Sequence, residues 1–227
     1  MPVDFVENND GYLVNITKRD IIAFMQNNQE LLFNERDFQM HLAVWLRESK
    51  HYDDVDVEYY IPYKELDNYI WKNELRLDIV VRKENEFLPI ELKYKTKHTT
   101  KEILRFGERI ADVEVLKDQG AQDLGMYDFW KDVRRIELVR KRFPAVRNGL
   151  SVFATNDESY LRPSRSTSNN FLLSLNEGTH GTEKHWQQTD SVCAKTHPNF
   201  EVEKCYTIDW SGAKLDSEQF YYCILVV

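Results

Sequence analysis

The stretch LRLDIVVRKENEFLPIELKYK, Leu75 to Lys95, alternates apolar and polar residues on both sides of a charged centre, a pattern that only a pair of adjacent strands satisfies. Leu75, Leu77, Ile79 and Val81 are expected on one face of the first strand, with Arg76, Asp78, Val80 and Arg82 on the other. In the second strand Leu88, Ile90, Leu92 and Tyr94 oppose Pro89, Glu91, Lys93 and Lys95. A turn centred on Glu84 and Asn85 sets Asp78 directly across from Glu91. Two facing carboxylates then have Cβ atoms about 4.5–5.5 Å apart, a like-charge pair that is destabilising unless neutralised.

A divalent cation supplies that neutralisation. Mg²⁺ takes hard oxygen ligands and is commonly held by one or two carboxylates with water and phosphate. Lys93, two residues after Glu91, shares its face and brings an ammonium to the same place. Alternation alone also fits the solvent side of an antiparallel sheet, a reading with no chemistry in it.

The elements around the hairpin form an α/β (α+β) sequence. Thr17 is placed to cap a helix over about residues 18–27. Asn34 caps a second helix in which Phe38, Leu42, Trp45 and Leu46 share a face, with Glu35 at its N-terminal end. VDVEYYIPY (Val55 to Tyr63) reads as a strand ending at Pro62. After the hairpin, residues 96–126 read as a polar helical connector. A helix follows from about Asp128 to Phe143, with Phe129, Val133, Ile136 and Val139 or Arg140 inward, stopped by Pro144. Gly149 to Asp157 is a strand, and RPSRSTSNN (Arg162 to Asn170) an exposed loop. FLLSL, CYTIDW and FYYCILVV read as strands of an appended antiparallel portion. One domain is expected, with a core over about 30–157 and a β-rich extension over about 158–227.

The order of helix with Glu35, strand, strand with Asp78, strand with Glu91-Leu92-Lys93, helix and strand resembles the PD-(D/E)XK nuclease superfamily. The resemblance implies a restriction-endonuclease-like core of a mixed central β-sheet flanked by helices. It further implies an enzyme hydrolysing phosphodiester bonds of nucleic acid, DNA being the expected substrate, with Mg²⁺ (or Mn²⁺) as cofactor. Asp78, Glu91 and the Leu92 carbonyl would hold the metal, Lys93 would act on the attacking water, and Glu35 would assist. Leu77 stands where a proline often precedes the first acid, and Gln122 and Tyr127 are five apart, so no Gln-x-x-x-Tyr motif occurs. An alternative with the same fold is a catalytically silent module that binds nucleic acid or a protein.

Charge narrows the partner surface. The formal net charge of −8 is unlike that of a general nucleic-acid coat. Residues 93–109 nevertheless carry six cations against two acids, and residues 131–147 seven against two. Lys95, Lys97, Arg134 and Arg135 are the candidate phosphate-binding residues. His180, His185, Cys193, His197 and Cys205 offer a second, zinc-binding reading, weakened by the absence of paired C-x2-C or H-x3-H spacings. Three cysteines, a terminus without a leader pattern and no apolar run of about 20 residues point to a cytoplasmic protein with no membrane partner. A homodimer is an allowed assembly.

Overall fold

In the computed structural model, which describes residues 11–227, the hairpin has the register that a two-residue turn at Glu84 and Asn85 imposes. Lys83 pairs with Glu86, Val81 with Leu88 and Ile79 with Ile90, and Glu84 takes the positive φ (53°) such a turn needs. Residues 1–10, most of the stretch read for a leader, lie outside the described part.

The chain forms helix α1 (Tyr12–Asn27), α2 (Glu35–Ser49), strands β1 (Asp54–Ile61), β2 (Leu75–Lys83), β3 (Glu86–Lys95), β4 (Thr99–Arg105) and β5 (Glu108–Leu116), then α3 (Gln122–Arg142) and β6 (Leu150–Thr155). The last third contains β7 (Gly178–His180), β8 (Glu183–Lys184), α4 (Val192–Thr196), β9 (Phe200–Glu201), β10 (Tyr206–Ile208), β11 (Ser211–Leu215) and β12 (Glu218–Val226). Six strands make one mixed sheet in the order β1-β2-β3-β6-β12-β11. Only β3 and β6 run parallel, with Glu91 beside Ser151 and Lys93 beside Phe153.

Helices cover both faces. Ile21, Phe24, Phe38, Leu42 and Leu46 of α1 and α2 pack on Ile79, Ile90, Leu92 and Val152. On the opposite face Phe129, Trp130, Val133, Ile136 and Val139 of α3 pack on Leu75, Leu77, Val80 and Phe153. Each such side chain contributes on the order of 1.5–3 kcal/mol by leaving water.

Several sequence expectations change here. Leu77 and Ile79 do not share a face: Leu75 and Leu77 join the α3 layer, Ile79 and Val81 the α1/α2 layer. The strand turns over at Asp78, and the facing strand turns over at the same level, where Glu58 lies in the left-handed region (φ 53°) between the pairs Val57 to Ile79 and Tyr59 to Leu77. Helix α1 starts at Tyr12, and Thr17, rather than capping it, lies inside and donates its hydroxyl to the Leu13 carbonyl at 2.7 Å. Residues 99–116 form a hairpin instead of a helical connector. Its turn is Phe106-Gly107, both at positive φ (52° and 85°), and Ile103, Val113, Val115 and Leu116 pack against the main core. FLLSL contains a short 3-10 helix, not a strand. The terminal FYYCILVV is no appendage: β12 pairs with β6 inside the central sheet. What lies outside the sheet is the segment between β6 and β11, which covers α3. There Tyr127 stacks on Trp186 (5.5 Å) and the Trp130 indole N–H donates to the Leu173 carbonyl.

No helix among the described residues is long and apolar enough to cross a membrane.

Candidate active site

The pairing of β2 with β3 ends at Ile79 and Ile90, one step short of Asp78 and Glu91. Beyond that point the strands part, leaving the Leu92 and Tyr94 N–H groups of β3 without strand partners on the β2 side. Two carboxylates take them. Asp78 Oδ2 accepts the Leu92 N–H at 2.6 Å, and Glu35 Oε2, from the first turn of α2, accepts the Tyr94 N–H at 3.0 Å. An unpaired buried N–H costs about 1–3 kcal/mol, so these bonds stabilise the opened strands as well as aiming the acids.

Helix α2 reaches the site because its start is well defined. Asn34 accepts the Asp37 N–H at 2.9 Å, which is the expected cap and fixes Glu35 at the first helical position. One turn on, Gln39 donates to the Asp78 carbonyl (2.7 Å) and to Glu58 Oε1 (3.2 Å), tying α2 to both strands at the level where they turn over.

Glu91 and Lys93 project from the other side of β3, toward α3. This charged face is not wet. Glu91 is 2 % exposed, and α3 sets Asp132 (1 %) and Arg135 (8 %) against it. The Lys93 ammonium lies 2.7 Å from Asp132 Oδ2 and 3.8 Å from Glu35 Oε1, and it donates to the Leu92 carbonyl at 3.0 Å. Arg135 donates to Asp132 Oδ1 at 3.1 Å and stands 3.5 Å from Glu91 Oε1.

Electrostatics follow from burial and this arrangement. Burial pushes the Asp78 carboxyl up to about 6, opposed by the Lys93 charge and the Leu92 N–H. Glu91 is raised well above the usual carboxylate range by burial first and by Asp132 next, with Arg135 opposing. Burial alone would lower the Lys93 ammonium, but Asp132, Glu35, Asp78 and Glu91 together outweigh it and hold the group protonated. Asp132 goes the other way: burial would raise it, and Lys93 and Arg135 bring it below the ordinary range. With every group ionised, four carboxylates (Glu35, Asp78, Glu91, Asp132) face two cations (Lys93, Arg135), leaving two negative charges.

That excess bears on the expected metal. Among the described residues no three His, Cys, Asp or Glu side chains form a metal-binding group. The site instead offers Asp78, Glu91 and the Leu92 carbonyl, all hard oxygens of the kind Mg²⁺ and Mn²⁺ accept. The carbonyl already receives a positive charge, the Lys93 ammonium. The donor chemistry fits a divalent cation, which would replace the protons that the raised Glu91 and Asp78 carboxyls hold in the metal-free site.

The residues expected to bind phosphate are placed differently from one another. Lys95 follows Lys93 on the same face of β3 and is half-buried. Lys97 is exposed, its ammonium 2.9 Å from Asp157. Arg134 is held by Glu137 (2.9 Å) and Glu203 (3.5 Å), and Arg135 is buried among the acids. The zinc-reading residues are spread among separate partners: Cys193 near Asp123, His180 on the Asn176 carbonyl, His197 against Tyr127, and Cys205 exposed.

Sequence reading admits Asp132 and Glu137 as partners for Arg134 and Arg135 but does not place Asp132 or Arg135 against Lys93 and Glu91. A signal is present: Asp132 lies three residues after Phe129 and four before Ile136, on the inward stripe of the helix.

The comparisons add no relative. Neither family models, nor curated proteins, nor solved structures match this chain.

Proposed function

We propose that the protein is a metal-dependent nuclease of the PD-(D/E)XK type, hydrolysing phosphodiester bonds, with DNA the substrate of first choice. The observation that carries this reading is the parted β2/β3 pair, where Asp78 and Glu35 hold the freed N–H groups of β3 while Glu91 and Lys93 emerge from the same strand. The order of elements and the mixed sheet support a restriction-endonuclease-like core.

In this reading Asp78, Glu91 and the Leu92 carbonyl would hold Mg²⁺ or Mn²⁺. When bound, such an ion polarises a phosphoryl oxygen and lowers the pKa of a bound water. Lys93, kept protonated by its acidic neighbours, serves as a fixed positive charge opposite the charge that develops on phosphorus, not as a base. Glu35, 40 % exposed at its side chain, is reached by solvent and can accept a hydrogen bond from an incoming water. Lys95 and Lys97 position the phosphate backbone. Arg134 and Arg135, tied to Glu137, Glu203, Asp132 and Glu91, act inside the protein in this reading.

The test is incubation with plasmid, linear and single-stranded DNA and with RNA, in Mg²⁺, Mn²⁺ or EDTA. Cleavage that needs the metal and disappears in Glu91→Gln is the expected result. Cleavage indifferent to both EDTA and Glu91→Gln would overturn the assignment, and tight binding without cleavage would mark a silent module.

A further inference from the structure

We propose that Asp132 and Arg135 of α3 are positioning residues that lock Lys93 and Glu91 into their working geometry. This rests on the nuclease reading of the site and goes beyond it in assigning the α3 pair.

A lysine side chain is free unless something holds it. Four rotatable bonds let an ammonium two residues from Glu91 occupy many positions, and on an open strand face it would sample them freely. Here one oxygen of Asp132 takes the ammonium at 2.7 Å, and the Leu92 carbonyl takes it at 3.0 Å. Those two acceptors from different elements fix where the charge lies. Asp132 is itself fixed. Its other oxygen receives Arg135 at 3.1 Å, one helical turn away, and the same Arg135 guanidinium nitrogen lies 3.5 Å from Glu91. The chain Lys93, Asp132, Arg135, Glu91 thus links both functional residues of β3 through two residues of α3. The helix cannot shift to release them, because Phe129, Val133 and Ile136 on either side of the pair are fully buried.

A purely structural ion pair would need no link to the site. This one ends on Lys93 and on Glu91, so its geometry sets where both of those groups lie.

The experiment separates the proposal from the nuclease reading. The side-chain ammonium signal of Lys93 is followed by ¹H–¹⁵N NMR in the full-length protein, without metal, in the wild type and in Asp132→Asn. A signal protected from water exchange in the wild type and lost in the variant is expected; an unchanged signal overturns the positioning role whatever the protein cleaves. In parallel, kcat and KM for DNA cleavage in Mg²⁺ are compared. Asp132→Asn should lower kcat by about 10- to 100-fold with KM within about twofold, and Asp132→Glu should recover part of the loss. Equal kcat in wild type and Asp132→Asn overturns the proposal, whereas a wild type that cleaves nothing overturns the nuclease reading, on which the catalytic part of this inference depends. Should Asp132→Asn fail to fold, Arg135→Lys, which keeps the charge and loses the planar fork, is expected to show the same fall in kcat.

Discussion

Asp78 and Leu92 are joined across the gap between their strands: the Asp78 carboxylate accepts the Leu92 N–H at 2.6 Å where a backbone carbonyl would ordinarily do so. An ionisable group therefore stands in for a sheet hydrogen bond, with its carboxyl pushed up to about 6 by burial.

The first prediction follows from that carboxyl. Its folded pKa lies above the unfolded value of about 3.9, so between these pH values the folded state holds more protons. Its contribution is fully present below about pH 4 and is lost as pH rises through about 6. Asp78→Asn keeps an oxygen for the Leu92 N–H and removes the charge, so the metal-free variant should be more stable at pH 7 by about 1–3 kcal/mol, with a flatter profile between pH 4 and 6. Thermal unfolding across this range checks it; a less stable Asp78→Asn at pH 7 would show that repulsion and desolvation are not the dominant effects.

Mg²⁺ should stabilise the wild type through binding to the folded state alone, by about 2.7 kcal/mol at a hundredfold excess over Kd. The melting temperature should rise with Mg²⁺ in the wild type and stay level in Glu91→Gln. An equal rise in both proteins would place the ion elsewhere.

Lys93→Met should abolish most cleavage, by about 10²–10³-fold, as loss of one preorganised electrostatic donor does. Sequence alternation sets Lys93 on an open face, where its removal would be harmless to the fold. The structure sets it under α3 against Asp132, so the same substitution should also lower stability by leaving that buried acid with Arg135 alone. Chemical denaturation beside the cleavage assay reads both effects; unaltered cleavage would remove Lys93 from the site.

Lys95→Ala combined with Lys97→Ala should weaken nucleic-acid binding and reduce its salt dependence by about one slope unit for each phosphate no longer neutralised. Arg134→Ala should leave that slope unchanged, since its guanidinium is held by Glu137 and Glu203. The reverse pattern would move the phosphate path onto α3.

Lys184 supplies a prediction away from the site. It is fully buried, with its ammonium 3.4 Å from the centre of the Trp130 ring, and burial lowers its pKa to about 7. The unfolded chain, with a lysine pKa of about 10.4, binds more protons between these values, so stability should rise with pH from about 7 to 10. Lys184→Met should remove that component from the pH profile; an unchanged profile would show that the amine is solvated in solution.

What the sequence determined by itself is local. The turn at Glu84 and Asn85 set the hairpin register, and a two-residue turn admits only one. Asn34 set the start of α2 and so the place of Glu35, and the 3.6-residue stripe set α3 from Phe129 onward. Tertiary structure decided what no spacing encodes. Strand alternation gives two faces but does not say what covers them, so the charged face of β3 reads as wet until α3 is laid on it with Asp132 and Arg135. The turnover at Asp78 is invisible for a related reason: it depends on Glu58 of another strand adopting a positive φ at the same level, held there by Gln39 of α2. FYYCILVV reads as a strand in any context, and its place beside β6 comes from long-range pairing with a strand over sixty residues earlier. Local signals fix elements because they involve neighbours in the chain; the partners of a buried charge are distant in sequence, and only packing brings them together.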